Sequence, residues 1–257
     1  MTKEESILLK HFEDLSKTAY HKGFPTYSGF LTLHEQSLLN DFACNAASGN
    51  LLSKYTFVGG YDYAERKMAC FYEDTAPEFH PYSVLLVEAQ NSKFADNLTH
   101  RDYLGALMNL GIERDVLGDM IKLSAQSTYI ICKESIADFI VDNYRTVKHT
   151  SVVCRIIPEE ELMNLTIVPS FEEVTGSVSS FRLDCILALA FHKSRTQISD
   201  LIKSGNVFVN SRLVENTSYQ LKQGETVSAR GFGKFIFAEE GGISKKGKLY
   251  VTLKKFT

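Results

Sequence analysis

The chain has 257 residues, of which 44% are hydrophobic and 23% charged, with a formal net charge of −3. This composition excludes a disordered or membrane-embedded chain and is typical of a globular protein with two or three domains. The N-terminus shows no apolar core of a secretory signal, so we expect a cytoplasmic protein without membrane insertion. Five scattered cysteines favour buried free thiols over disulfides or a metal site.

Charge is divided sharply along the chain. Residues 1–180 carry 15 Lys and Arg against 25 Asp and Glu, whereas residues 181–257 carry 13 against 6. The small overall charge conceals this division. A basic C-terminal module attached to an acidic body indicates a nucleic-acid partner.

Residues 1–80 are predicted to form a helical N-terminal region with a β-hairpin. Two apolar stripes of helical spacing are separated by breaks at Gly23, Pro25 and Gly29. The stripes consist of Ile7, Leu8, Phe12 and Leu15, then Leu33, Leu38, Leu39 and Phe42. Residues 55–61 and 67–72 are predicted to pair as the hairpin.

Residues 81–160 are predicted to form an α/β domain like the RNA-recognition motif. The strands are expected at 83–88, 117–123, 127–133 and 150–157, with helices at 101–110 and 135–144. This βαββαβ order is that of a ferredoxin-like fold. Such domains stack bases on aromatic residues of the central strands, where this chain offers mainly Tyr129. Because the domain is also acidic, a scaffold or protein-contact role is favoured over RNA binding on the sheet.

Residues 161–180, rich in Ser and containing Pro169 and Gly176, are predicted to be a linker, with the domain boundary near Ser180. The final domain, 181–257, is expected to begin with a short helix up to Phe191. A capping box at Ser194 starts a second helix, which Gly205 ends. Strands are expected around 207–209, 213–214 and 226–230. The fold class is therefore α+β.

Arg182 and Arg195 stand at the starts of the two predicted helices. A cation there faces the positive end of the helix dipole, which costs about 0.3–1 kcal/mol. Phosphate binding would explain both positions, since helix N-termini and guanidinium groups each favour anions. The alternative is that Arg182 pairs with Asp184 or a nearby Glu.

The run from Arg182-Leu183-Asp184 through Ser194-Arg195 to Val209-Asn210 resembles the αL RNA-binding domain, first named from the fourth protein of the small ribosomal subunit. That resemblance lies within residues 181–230 and implies binding to the backbone of structured RNA. Five positions correspond to the family's core, namely Leu183, Ile198, Ile202, Val207 and Val209. The RNA-facing positions it implies are Arg182, Lys193, Ser194, Arg195, Gln197, Lys203, Asn210 and Arg212.

The complete layout resembles the YlmH family of bacterial RNA-binding proteins. Residues 100–107 (His-Arg-Asp-Tyr-Leu-Gly-Ala-Leu), Arg114 and 117–119 (Leu-Gly-Asp) are similar to the family's central signature. The resemblance implies binding of structured RNA, either rRNA or tRNA, on the ribosome in translation quality control or assembly. We also expect the protein to be a monomer. Arg101 and Arg114 either contact RNA or pair with Asp102, Asp115 and Asp119; pairing is favoured.

Residues 231–257 are predicted to form a hairpin that turns near Gly241 and Gly242. Its lysines, together with Arg230, either protect a sheet edge or add phosphate contacts. These lysines are Lys234, Lys245, Lys246, Lys248, Lys254 and Lys255.

No nucleotide-binding glycine loop, nucleophile elbow or zinc-type Cys/His pair occurs in the sequence. We therefore expect a non-enzymatic protein without a cofactor or metal. Two alternatives stay open. One is an RNA-modifying enzyme of the pseudouridine synthase or methyltransferase type, to which αL domains are often attached. The other is an adaptor that links RNA to a protein partner such as a cell-division factor.

Overall fold

The computed structural model describes residues 2–44, 51–91, 95–158, 161, 170–244 and 247–256. The chain comprises two compact units, Met1–Ile167 and Val168–Thr257. Within the described ranges, no helix has both the length and the apolar character needed to span a bilayer.

Two helices and a three-stranded antiparallel sheet form the beginning of the first unit. Helix α1 (Lys3–Lys22) starts with a capping box between Thr2 and Glu5. Helix α2 spans Leu33–Cys44. The strands β1 (Thr26–Leu31), β2 (Lys54–Val58) and β3 (Lys67–Tyr72) lie in the order β1-β3-β2. The core between the helices and this sheet includes Phe12, Leu39, Ala69 and Phe71.

The predicted hairpin is confirmed, since β2 and β3 pair with Thr56 opposite Cys70. Before residue 54, only helices separated by breaks were expected. This expectation is wrong, because residues 26–31 form a strand that pairs with β3. Burial alternates along most of this strand, with period two. Gly29 lies inside it and concealed that periodicity. Ile7, assigned to an apolar stripe, is 61% exposed.

The middle of the first unit has the predicted ferredoxin-like topology. Its elements are β4 (Tyr82–Ala89), α3 (His100–Asn109), β5 (Leu117–Lys122), β6 (Ser127–Lys133), α4 (Glu134–Asn143), β7 (Thr146–Val147) and β8 (Thr150–Ile156). The antiparallel sheet has the order β5-β6-β4-β8-β7. The short β7 and its hairpin to β8 were not predicted.

One face of this five-stranded sheet is covered within the unit, and so are the central strands β4 and β6 on the other face. One face packs on α3 and α4 through residues such as Leu85, Leu107 and Ile140. Phe30 and Met68 of the N-terminal sheet join the cluster on the other face, which contains Tyr129. Tyr129 is only 8% exposed. The surface on which RNA-recognition motifs stack bases is therefore occupied here by the protein's own N-terminal region.

Asp119 connects the N-terminal sheet to the middle domain. Its carboxylate accepts hydrogen bonds from the Tyr61 hydroxyl at 2.9 Å and from the backbone amides of Glu65 and Arg66 at 2.7 and 3.0 Å. The Arg66 guanidinium donates to the carbonyls of Phe30, Arg114 and Leu117. These bonds fix the covering sheet against β5.

The second unit is a six-stranded antiparallel sheet with two helices. Helices α5 (Leu183–Phe191) and α6 (Arg195–Lys203) are followed by β10 (Val207–Val209), β11 (Arg212–Leu213), β12 (Thr226–Ala229), β13 (Gly233–Ile243) and β14 (Leu249–Phe256). The strand β9 (Phe171–Val178) pairs with β14 along the edge of the sheet.

One expectation for the second unit is wrong. Residues 171–178 were placed in the linker, yet they form β9, because full pairing with β14 outweighs their turn-like composition. The part of that linker at 162–169 lies outside the described residues.

The predicted C-terminal hairpin is confirmed, since β13 and β14 pair up to Ile243 opposite Leu249. Gly241 and Gly242 are among the last three residues of β13, near its connection to β14. A Cβ at Gly241 would come within 2.8 Å of the Tyr250 Cβ, so glycine permits the close approach of β14.

Candidate nucleic-acid interface

A pair of short helices at the start of the second unit carries most of the residues predicted to bind RNA. Helix α5 buries Leu183, Ile186 and Leu187, and α6 buries Ile198 and Ile202. The five core positions implied by the αL resemblance are all buried, as expected. His192, in the left-handed conformation with φ of 51°, ends α5 and turns the chain into α6. This turn leaves residues 192–197 exposed.

Arg182 and Arg195 share one carboxylate. Arg182 donates through Nε and Nη2 to the two Asp184 oxygens, at 3.1 and 3.0 Å. Arg195 donates through Nη2 to Asp184 Oδ2 at 2.5 Å. The alternative of pairing between Arg182 and Asp184 is therefore the one observed, and Arg195 bonds to the same carboxylate. The Asp184 carboxylate therefore offsets the cost of placing two cations at helix starts, and no bound phosphate is needed to explain these positions.

The triad nevertheless presents positive charge to solvent. The Asp184 residue is 6% exposed, whereas the side chains of Arg182 and Arg195 are 35% and 57% exposed. Burial opposes ionisation of Asp184, but the hydrogen bonds from both arginines outweigh it and hold its pKa below the usual range. One buried negative charge thus holds two guanidinium groups, which leaves a net positive charge at the surface.

Ser194 and Gln197 form the predicted capping box of α6. The Ser194 hydroxyl accepts from the Gln197 amide at 3.3 Å, and the Ser194 amide donates to the Gln197 side-chain oxygen at 3.3 Å. Both side chains are therefore engaged in starting the helix. They lie beside Arg195 and shape the exposed turn that carries it.

Lys193 and Lys203 are both exposed, at opposite ends of α6. Nine helical residues span about 13 Å, so these two lysines are well separated along the helix. Arg230 lies near the Lys203 end, because its amide donates to the Asn206 carbonyl at 2.9 Å. The structure thus brings Arg182, Lys193 and Arg195 to one end of the helix pair, and places Lys203 and Arg230 at the other.

The predicted residues of the β10–β11 turn are exposed as well. Asn210 and Ser211 have φ of 49° and 64°, which is typical of a two-residue hairpin turn. The Asn210 side chain accepts from the Thr226 amide at 3.0 Å, which joins this turn to the start of β12. Arg212 is exposed on the next strand.

The lysines of the C-terminal strands have mixed surroundings. Lys234 lies 4.7 Å from the ring centroid of Phe256, and Lys255 lies 5.9 Å from that of Phe191. Lys248 and Lys254 are exposed. Lys245 and Lys246 lie outside the described residues.

Arg101 and Arg114 have different surroundings. Arg114 lies near Arg66, and its pKa is lowered to about 10, first by burial and then by the Arg66 charge. Arg101 is exposed on α3. Within the described part of the chain, neither arginine pairs with Asp102, Asp115 or Asp119, so the favoured expectation of pairing is wrong. Asp102 binds Lys148 and the start of α3, and Asp119 holds the N-terminal sheet.

Sequence reasoning missed the shared role of Asp184. An Asp two residues after Arg182 is an ordinary local pair. Nothing in the sequence shows that the same carboxylate also reaches Arg195, because that contact depends on how α6 packs against α5.

Comparisons with known proteins agree with this architecture. Residues 77–161 match the family model of the RNA-binding domain in YlmH, and residues 181–227 match that of the S4 domain, the αL type. The chain is 33% identical over 231 residues to ribosome-associated protein quality control protein P2 of Bacillus subtilis (strain 168), a match that covers 88% of this chain and 85% of that protein. The chain belongs to the YlmH family.

Among solved structures, this YlmH-family chain is similar to cell division protein YlmH from Streptococcus pneumoniae. That match has a TM-score of 0.47 and 21% sequence identity. It covers 63% of this chain and 95% of the other. The S4 match at residues 181–227 includes the helix pair described above.

Proposed function

We propose that this YlmH-family protein binds structured RNA, either rRNA or tRNA, on the ribosome in translation quality control or assembly. It would act there as a cytoplasmic monomer by binding, without a chemical step or a cofactor. The observation that carries this proposal is the exposed cationic end of the S4 helix pair, where Arg182 and Arg195 bind a buried Asp184 and Lys193 is exposed two residues before Arg195.

The geometry favours phosphate over base recognition. Among the described residues, Arg195 donates one side-chain hydrogen bond, through Nη2 to Asp184, and its side chain is 57% exposed. Asp184, itself held by Arg182, pre-positions the Arg195 guanidinium, which reduces the side-chain entropy that RNA binding would otherwise cost. Since Ser194 and Gln197 are engaged in the capping box, the available contacts come mainly from Lys and Arg. Such contacts bind the backbone with little sequence preference.

The ribosomal setting of the proposal comes from the relative. The Bacillus subtilis protein is named for ribosome-associated quality control, and its similarity extends over 88% of this chain. The match includes more than the S4 segment, which supports a shared role for the whole architecture. The competing possibility is that the same domain binds an RNA outside the ribosome, and experiment must distinguish these two targets.

Two measurements test the proposal. Sedimentation of the purified chain with ribosomal subunits tests association, and crosslinking in cells followed by sequencing identifies the bound RNA. We expect co-sedimentation that weakens with salt and crosslinks in rRNA or tRNA. Absence of both, or reproducible modification of rRNA or tRNA by the purified protein, would contradict the proposal.

A further inference from the structure

An open cavity of about 530 Å³ lies on the helical side of the middle domain. It is lined by parts of α3, the end of α4 and the β7–β8 hairpin. Its charged lining residues are Arg101, Arg145 and Lys148, with Asp102 as their single acidic companion. The cavity therefore carries an excess of positive charge, although the surrounding domain is acidic.

The Asp102 carboxylate in this cavity already binds other groups of the protein. It lies 2.9 Å from Lys148 Nζ and accepts from the Thr99 amide and hydroxyl at 2.8 and 2.7 Å. Arg101 and Arg145 are exposed, and no carboxylate within the described ranges forms an ion pair with either. Two unneutralised guanidinium groups thus face one concave surface.

Gly105 lines the same cavity from the middle of α3. Glycine destabilises a helix interior relative to alanine, so its presence normally reflects a packing requirement. No such requirement exists among the described residues, because a Cβ at Gly105 would meet nothing within 4 Å. A glycine that faces open space beside two arginines is suited to the close approach of a ligand's backbone.

On the opposite face of the domain, the central strands are not available as an RNA platform in the folded unit. Tyr129 and its neighbours there are packed against Phe30 and Met68, as described above. The helical side, by contrast, carries a cavity that is open to solvent.

We propose that the middle domain contacts the phosphate backbone of RNA through this cavity, with Arg101 and Arg145 as the binding cations and Gly105 as the point of close approach. This second contact site rests on the proposed function, since it would act on RNA that the S4 domain also binds. It would add affinity through the linkage of two sites in one chain.

The experiment measures binding of the full chain to deproteinised ribosomal RNA at several salt concentrations. For Arg101→Ala/Arg145→Ala we expect binding on the order of tenfold weaker and a slope of log affinity against log salt that is smaller by roughly 1.4 to 1.8, for two lost phosphate contacts. The matched control, Lys3→Ala/Lys10→Ala, removes two exposed cations from α1 of the same unit and should bind like the wild type.

Gly105 supplies an independent test that changes no charge. Gly105→Ala should raise the thermal midpoint, because the helix interior gains a better helix former, yet weaken RNA binding slightly. Gly105→Gln should fold and bind RNA several-fold more weakly. Wild-type RNA binding by the folded Gly105→Gln protein would overturn the assignment of Gly105 as the point of close approach.

The outcomes distinguish this site from the proposed function. Suppose that the folded Arg101→Ala/Arg145→Ala protein binds RNA like the wild type, while variants of the S4 domain bind more weakly. That result would overturn the assignment of the cavity as an RNA contact site and would leave the proposed function unaffected. Failure of the wild type to bind RNA overturns both. Polyglutamate serves as a probe for an acidic protein partner. If Arg101→Ala/Arg145→Ala loses binding to polyglutamate but keeps binding to RNA, the cavity binds an acidic protein instead of RNA.

Discussion

Arg195, in the first turn of α6, donates a 2.5 Å hydrogen bond to Asp184, in the first turn of α5. This contact joins the two helices of the S4 domain at the end that carries the exposed cations. Because Arg182 binds the same carboxylate, the triad serves the fold and presents positive charge at once. Stability and RNA binding at this site can therefore be separated by substitution.

Asp184→Asn should destabilise the protein by about 1.5–3 kcal/mol at neutral pH, because hydrogen bonds to a buried charge are lost. RNA binding should persist, since both guanidinium groups are kept. Urea unfolding measures the first effect, and RNA titration the second. Asp200→Asn, which changes an exposed carboxylate of α6, is the control and should unfold like the wild type.

The same variant has a distinct dependence on pH. The pKa of Asp184 is lower in the folded state, so its contribution to stability is complete above the ordinary Asp pKa near 4 and is lost as pH falls through the lowered value. The stability difference between wild type and Asp184→Asn should therefore shrink below about pH 4. A constant difference between pH 7 and pH 2 would contradict this assignment.

Ser194 offers a way to separate capping from RNA contact. Ser194→Ala should lower the free energy of unfolding by about 0.5–2 kcal/mol, because the cap of α6 is lost. Ser194→Asp keeps a capping side chain but adds a negative charge beside Arg195, so stability should be retained while RNA binding weakens. Equal RNA binding by the wild type and a stable Ser194→Asp protein would exclude a phosphate near this turn.

Tyr129 distinguishes a covered sheet from an RNA platform. Tyr129→Leu should destabilise the first unit by about 1–3 kcal/mol, because it changes a buried contact with the N-terminal sheet. Binding of RNA by the folded variant should not change. Loss of a stacked base would instead weaken binding by about 1–3 kcal/mol, which fluorescence anisotropy readily detects.

Local patterns predicted much of this fold. The Ser194 capping box and the βαββαβ order are encoded in neighbouring residues, and both are observed. The strand β9 was missed for the opposite reason. Its residues 171–178 have turn-like composition, and they become a strand only by pairing with β14, which is distant from them in the sequence.

The candidate site was predictable in composition but not in arrangement. The basic C-terminal charge and the S4 resemblance identified Lys193, Arg195 and Lys203, which are exposed as expected. The shared carboxylate of Asp184 and the position of Arg145 beside Arg101 depend on tertiary packing. No periodicity or spacing in the sequence carries that information.

The measurement that tests the central claim most directly is the salt dependence of RNA binding by Lys193→Ala/Arg195→Ala/Lys203→Ala. Asp184 keeps both hydrogen bonds from Arg182 in this variant, so the fold should be preserved. Loss of three phosphate contacts should reduce the slope of log affinity against log salt by roughly 2 to 3. The control Lys3→Ala/Lys10→Ala/Lys22→Ala also removes three exposed cations, here from α1, and should leave this slope unchanged. A wild-type slope in the folded S4 variant would show that RNA is not bound at this helix pair.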